Sequence, residues 1–265
     1  MVDKPNLEIL ADAKSLAERA FEIFVASVER AIADKGIFYV AVSGGHTPKR
    51  FFELLGERPQ SQNLPWSRIQ LFWVDERYVP ANSPKSNYKL AADTFLHKVA
   101  IPQKNIHRIN TESSDSQEAA RCYEQTIRKV FGLKKKDVPK FDLIILGLGT
   151  DGHIASLFPN GRITFDEENL ASVVSAPDGK YIRITLTPPV LLAASQLLVL
   201  VSGEEKAGIL KEVLTSRPNQ VRYPVHILWA VLDKVTWLVD RRAAKTSIMR
   251  KWHSAGLFNK LWGDD

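Results

Sequence analysis

The sequence predicts an α/β fold, an open, mostly parallel twisted sheet with helices on both faces, and three observations carry that reading. Five short runs, IFYVAV from Ile37, IQLFWV from Ile69, FDLIIL from Phe141, QLLVLV from Gln196 and VTWLV from Val235, are nearly continuous in apolar and β-branched residues. Strands buried on both faces read this way, because neither side meets water. Helical segments alternate with these runs, which is the order of βαβ units. With no internal repeat, low-complexity tract or long linker, the chain of 265 residues is expected to form a single domain over residues 1–265.

Taken in order, the stretch from Leu7 to about Asp34 places apolar residues at Ala17, Ala20, Phe21, Phe24, Val25, Val28, Ala31 and Ile32. That is the spacing of an amphipathic helix with one buried face. Further helices are predicted from Pro48 to Leu55, Asn87 to Lys98, Ser116 to Phe131, Thr187 to Ala194 and Glu204 to Leu214. YIRITLT, from Tyr181, reads as a strand that alternates with polar residues. Polar breaks near Asn82-Ser83-Pro84, Lys134-Lys135-Lys136-Asp137 and Ser216-Arg217-Pro218-Asn219 are surface loops. Pro80 and Pro84 mark a turn-rich connection that either borders a site or simply joins two elements.

Composition narrows the function classes. Cys122 is the sole cysteine, which excludes an internal disulfide framework and a cysteine-only metal site and fits a reducing compartment. The opening MVDKPNLEIL lacks the basic and apolar regions of a secretory leader. The longest apolar stretch, Val190 to Val201, is broken by Ser195 and Gln196 and is too short to span a bilayer. A formal net charge of +6 suits an anionic small molecule or a nucleic acid equally. No aromatic-basic module supports the second choice. The six histidines show no H-E-x-x-H or C-x-x-C spacing, so no metal site is expected.

Four segments carry polar, glycine-rich or charged sequence beyond predicted strands: SGGHTP, DERY, GLGTDGH and SGEEK. Ligands of an open parallel sheet bind past the carboxyl ends of its strands, so these segments are expected to meet at one crevice. In the first, Gly44 and Gly45 let the backbone approach a ligand, and Ser43 and Thr47 add hydroxyl donors at a helix start that favours an anion such as phosphate. Pro48 sits where a missing N–H costs nothing. A plain tight turn would ask for the same glycines. The spacing fits neither a P-loop nor a dinucleotide fingerprint, and Ala41 stands where a G-x-S-x-G elbow needs glycine, so neither a nucleotide nor a Ser43 nucleophile is indicated. His46 is either a substrate contact or an exposed loop residue.

In the second segment, Asp75, Glu76 and Arg77 read as a solvated ion-paired triplet or, at a strand end, as ligand-binding groups. Arg77 can hold phosphate or stabilise developing negative charge. The third is the most informative. Gly147, Gly149 and Gly152 permit a sharply turning loop that brings Asp151 and His153 to the rim, near enough for the carboxylate to orient the imidazole. Histidine titrates near neutrality and can take a proton from water and return it to a leaving group. An isolated D-x-H is more often a cap and a packed histidine, and its glycine-rich strand end is what favours catalysis here. Arg183 and Lys206, each alone a surface cation, would together clamp a phosphate.

Together these segments closely resemble the 6-phosphogluconolactonase family, itself similar in fold to the glucosamine-6-phosphate deaminases. The likeness runs from about Leu7 to Arg241 and includes SGGHTP, WVDERYVP followed by SNY, GLGTDGHIASLFP, RITLTP and SGEEKA in the family's order. Deaminases resemble the chain at D-G-H-I-A, but they carry a glutamate where this chain has Phe158 and a tyrosine where it has Arg77. Ile154 departs toward the deaminase pattern, since lactonases commonly have threonine there.

The resemblance implies a Rossmann-like sugar-phosphate isomerase/lactonase fold and a cytoplasmic enzyme of the oxidative pentose phosphate pathway. It would hydrolyse 6-phospho-D-glucono-1,5-lactone to 6-phospho-D-gluconate without cofactor or metal. His153 would be the general base, Asp151 its orienting partner, and Arg77 a group for the oxyanion or the phosphate. Ser43, Gly44, Gly45, His46, Thr47, Asp75, Gly149, Arg183 and Lys206 would bind substrate. The implied partner is the sugar-phosphate lactone, with no nucleic acid or membrane, and the enzyme would be a monomer or small homo-oligomer. Two rival readings stand beside it: a deaminase or isomerase on the same scaffold, and a non-catalytic sugar-phosphate binding protein.

Overall fold

The computed structural model describes residues 5–161, 166 and 168–244. The expected domain over residues 1–265 therefore takes in terminal residues that lie outside that description. In chain order the first elements are β1 (Asn6–Leu10), α1 (Ala13–Lys35), β2 (Phe38–Val42), α2 (His46–Glu57), α3 (Pro59–Gln62), β3 (Ile69–Trp73), β4 (Asp75–Arg77), α4 (Asn87–Ala91) and β5 (Ile106–His107). There follow α5 (Ser116–Phe131), β6 (Leu143–Gly147), β7 (Ala171–Ser175), β8 (Ile182–Leu186), α6 (Pro188–Ala193), β9 (Leu197–Val201), α7 (Ala207–Thr215) and β10 (Val235–Asp240).

The apolar runs form the sheet that their composition predicts. Seven strands lie in the order β1-β10-β9-β6-β2-β3-β5, and every neighbouring pair is parallel. The chain winds from β2 outward through β3 to β5, then returns to the other side of β2 and winds through β6, β9 and β10. The winding direction therefore reverses between β2 and β6, and the carboxyl ends of those two strands flank the crevice where a doubly wound sheet binds ligands. Every residue of β9 is buried, as expected for a strand covered on both faces.

The start of the first helix differs from the sequence reading. The stretch Asn6–Leu10 is an edge strand rather than the first turns of a helix, paired from Asn6 opposite Thr236 to Leu10 opposite Asp240. NLEIL fits either period over so short a window, and its partner lies at the far end of the chain. The helix begins at Ala13, where the Asp12 carboxylate caps it by accepting the Ser15 N–H at 2.8 Å. It ends at Gly36, whose φ of 75° is the left-handed conformation that a helix stop uses. Its buried face carries Phe24, which meets Phe38 of β2 edge-on and Phe51 of α2, each at 5.6 Å between ring centroids. Such pairs add about 0.5–1.5 kcal/mol beyond the area they bury, and here they join a helix to the sheet and to the helix that opens the site.

A second difference concerns YIRITLT and DERY. Both enter a separate antiparallel sheet, β4-β8-β7, in which Asp75 pairs with Thr185, Glu76 with Ile184 and Arg77 with Arg183. This small sheet stands beside the carboxyl end of β3, because only Val74 separates β3 from β4. Among the described residues no helix is long and apolar enough to cross a membrane.

Candidate active site

The four polar segments do converge. A cleft of about 290 Å³ is lined by Ser43, Gly44, Gly45, His46 and Thr47 after β2, Asp75 and Arg77 of β4, Gly149 and His153 after β6, Arg183 of β8, and Lys206 after β9. Asp151 joins them through its bond to His153. All the residues expected at the site are thus brought together, although they come from five separate stretches of chain.

The loop after β6 is built by its glycines. The Gly149 N–H donates to the His153 carbonyl at 2.8 Å and the Gly152 N–H to the Gly149 carbonyl at 3.1 Å, closing a tight turn in which Gly152 has φ 87°. The turn points Asp151 and His153 at each other. Asp151 Oδ1 accepts the His153 backbone N–H at 3.1 Å and lies 2.6 Å from Nδ1 of the ring. Burial opposes ionisation of this carboxyl, yet the bonds and charge of His153 outweigh it and hold the group below its usual range. An ionised Asp151 accepts the Nδ1 proton and leaves the Nε2 lone pair as the basic site. Gly149 makes room for this pair, because a Cβ there would overlap the imidazole and come within 2.6 Å of Asp151 Oδ1. The imidazole packs against the Phe158 ring, with centroids 4.9 Å apart and the planes tilted by 58°.

The opposite wall is cationic. Arg77 and Arg183 are register partners, so their side chains project from the same face of the small sheet. Like charges placed this way repel and gain from an anion between them. Burial, and to a lesser degree the charge of Arg77, pull the Arg183 pKa down, while Asp75 pulls it up. Asp75 is 4% exposed, lies 3.6 Å from Arg183 and accepts the Ser156 hydroxyl at 2.7 Å. Its carboxylate therefore orients Arg183 and ties β4 to the loop that carries His153. Arg183 Nε and Ser43 Oγ are buried without a hydrogen-bond partner. Two unsatisfied polar atoms in the wall of one cleft are what a bound anion would satisfy. The start of α2 adds free first-turn N–H groups, with no side-chain cap at Gly45.

Sequence reasoning passed over Asn87 as a site residue. Its Oδ1 accepts from Arg77 Nη1 at 3.0 Å, its Nδ2 donates to the Asp75 carbonyl at 2.8 Å, and it lines the cleft. Gly44 is glycine partly for the same reason, since a Cβ there would overlap the Asn87 side chain. Glu76 holds Asn87 in place: its buried carboxylate accepts from the Asn87, Tyr88 and Arg77 N–H groups and from the Ser86 hydroxyl. Burial raises its pKa against those four bonds. The available signal was SNY, which opens a predicted helix close after DERY. The connection from Pro80 to Ser86 also borders the site, because the Lys85 carbonyl accepts from Arg77 Nη1 at 2.8 Å. Asn87→Leu is expected to leave Arg77 held only through the Lys85 carbonyl and to weaken binding of a phosphorylated ligand about tenfold, the loss of one charge-assisted bond. Calorimetric titration with inorganic phosphate measures it, and unchanged affinity would remove Asn87 from this role.

A doubly wound fold whose cleft sets a histidine–carboxylate pair opposite a cationic wall has the layout of an α/β enzyme site. Residues 11–237 match the family described as glucosamine-6-phosphate isomerases/6-phosphogluconolactonase, and the chain belongs to that family. A 6-phosphogluconolactonase of Synechocystis is 36% identical over 241 residues, covering 91% of this chain and 98% of the relative. The structure of 6-phosphogluconolactonase from Trypanosoma cruzi is similar with a TM-score of 0.82 and 28% identity, over 93% of this chain and 98% of that one. A monomeric glucosamine-6-phosphate deaminase has a TM-score of 0.77 at 21% identity, over 92% of this chain and 99% of that one, which is a likeness of fold alone.

Proposed function

We propose that the chain is a cytosolic hydrolase that opens 6-phospho-D-glucono-1,5-lactone to 6-phospho-D-gluconate in the oxidative pentose phosphate pathway. The observation that carries the reading is the 2.6 Å contact between His153 Nδ1 and Asp151, with Phe158 rather than a carboxylate against the imidazole. An acid–histidine–acid relay suited to ring opening of an aminosugar would need a second carboxylate there. This site offers one base, one orienting carboxylate and an apolar ring.

In the mechanism, the phosphate is held by Arg183, Ser43, Thr47 and the start of α2, with Arg77 and Lys206 adding positive charge on either side. His153 Nε2 takes a proton from water as its oxygen attacks C1 of the lactone. The tetrahedral intermediate then expels the ring oxygen, and the imidazolium returns its proton to that oxygen. Asp151 keeps the imidazole in the required tautomer throughout. Attack on an activated ester requires a base and charge stabilisation, both supplied by side chains, so the reading assigns no cofactor or metal. The partner is the small sugar-phosphate lactone, bound by a monomer or small homo-oligomer.

A direct comparison of phospholactone hydrolysis with ammonia release from glucosamine 6-phosphate tests the assignment. Lactone hydrolysis is expected, and ammonia release without it would overturn the proposal.

Lys206 gives the site a pH signature. Burial lowers its pKa, against the opposing charges of Glu205 and Asp151. Below that lowered value the amine is charged and attracts phosphate; as pH rises through it, the attraction is lost earlier than for an ordinary lysine. Affinity for 6-phosphogluconate, measured by calorimetry, is therefore expected to weaken on the alkaline side below the usual lysine range. Lys206→Arg, which stays charged, is expected to remove that weakening.

A further inference from the structure

We propose that Phe158 is a positioning residue that holds the general base and the phosphate-binding guanidinium in one fixed arrangement. The inference rests on the roles proposed above for His153 and Arg183. Phe158 is 6% exposed and packs against both groups: its ring centroid lies 4.9 Å from that of the His153 imidazole, tilted by 58°, and the Arg183 guanidinium carbon sits 5.7 Å from it on the ring face. The two groups arrive from different parts of the fold, His153 from the loop after β6 and Arg183 from β8. Each is otherwise incompletely restrained. A single bond from Nδ1 to Asp151 lets an imidazole swing about that axis, and a ring packed against it hinders the swing. Arg183 has an ion pair at 3.6 Å with Asp75 and a buried Nε without a partner. A planar guanidinium over an aromatic face loses rotational freedom and gains cation–π attraction. One buried ring thus sets both the aim of Nε2 and the position of the phosphate end of the substrate, without touching the reacting atoms.

The test is a kinetic cycle. Phe158→Leu removes the aromatic face, and is expected to lower kcat about tenfold by misplacing the base and to raise KM about fivefold by loosening Arg183. In an Arg183→Ala background the same substitution is expected still to lower kcat but no longer to raise KM, because the group through which it acted on binding is gone. Phe158→Met, which keeps much of the volume without the ring, is expected to reproduce the pattern and replaces leucine if that variant folds poorly. The proposal is overturned if kcat and KM of both Phe158 variants stay within about twofold of wild type, a change smaller than the loss of one such contact. It is also overturned if the KM penalty persists undiminished in the Arg183→Ala background. His153→Ala run alongside separates the two levels: substantial turnover there would defeat the base assignment, whereas its inactivity beside a silent Phe158→Leu would defeat only the role of Phe158.

Discussion

Replacing His153 with alanine is expected to lower kcat on the phospholactone by about 10³-fold while leaving KM close to that of the wild type. The separation follows from the layout of the cleft. The imidazole and its Asp151 partner occupy the loop after β6, whereas Ser43, Thr47 and Arg183 stand on the other walls and are untouched by the change. Asp151→Asn is expected to lower kcat as well, because it removes the charge that supports the imidazolium and the acceptor that fixes its tautomer. The carboxyl of Asp151 is held below its usual range by His153, so it stays ionised at neutral pH, and its support is lost only as pH falls through that lowered value. Steady-state assays corrected for spontaneous lactone opening measure these effects. Near-wild-type turnover in His153→Ala would remove His153 from the role of base.

Gly149→Ala is the second large effect, and it reaches the same pair without altering either member. A methyl group at this position would overlap the His153 ring and crowd Asp151. The overlapping atoms belong to side chains at the mouth of a cleft, so the pair swings aside while the sheet beneath it remains. A displacement of the base by about an ångström costs on the order of 10²-fold in rate. The expected result is a folded protein, with thermal unfolding near that of the wild type, whose kcat has fallen by about that factor. Unchanged kcat would mean that the Asp151–His153 geometry does not govern the reaction.

Much of the site was legible because its residues cluster at strand ends. SGGHTP, DERY and GLGTDGH each break an apolar run abruptly, and a parallel sheet gathers the ends of its strands on one edge. Individual residues inside those segments were harder to assign. Asp75 and Glu76 are adjacent acids that sequence alone leaves between a solvated triplet and ligand-binding groups; their burial, and the different partners each acquires, depend on β8 and α4 folding over them. Asn87 was hidden because an asparagine at the start of a helix has an ordinary structural use. Its bonds to Arg77 and Asp75 exist only after the Pro80–Ser86 connection folds back.

The seven-stranded sheet shows the same division. Continuous apolar runs identified the central strands, since burial on both faces leaves a mark in local composition. The strand Asn6–Leu10 left no such mark, because an edge strand owes its state to pairing with β10, more than two hundred residues away in sequence. By itself, then, the sequence determined the layered α/β class, the set of polar strand ends and the nature of the groups they carry, all of which follow from local pattern. Only the tertiary structure decided that β2 and β6 are neighbours at the point where the winding reverses, that Arg77 lies opposite Arg183, and that one ring, Phe158, packs against both His153 and Arg183. Those are relations between residues far apart along the chain, fixed by packing, and no local pattern encodes them.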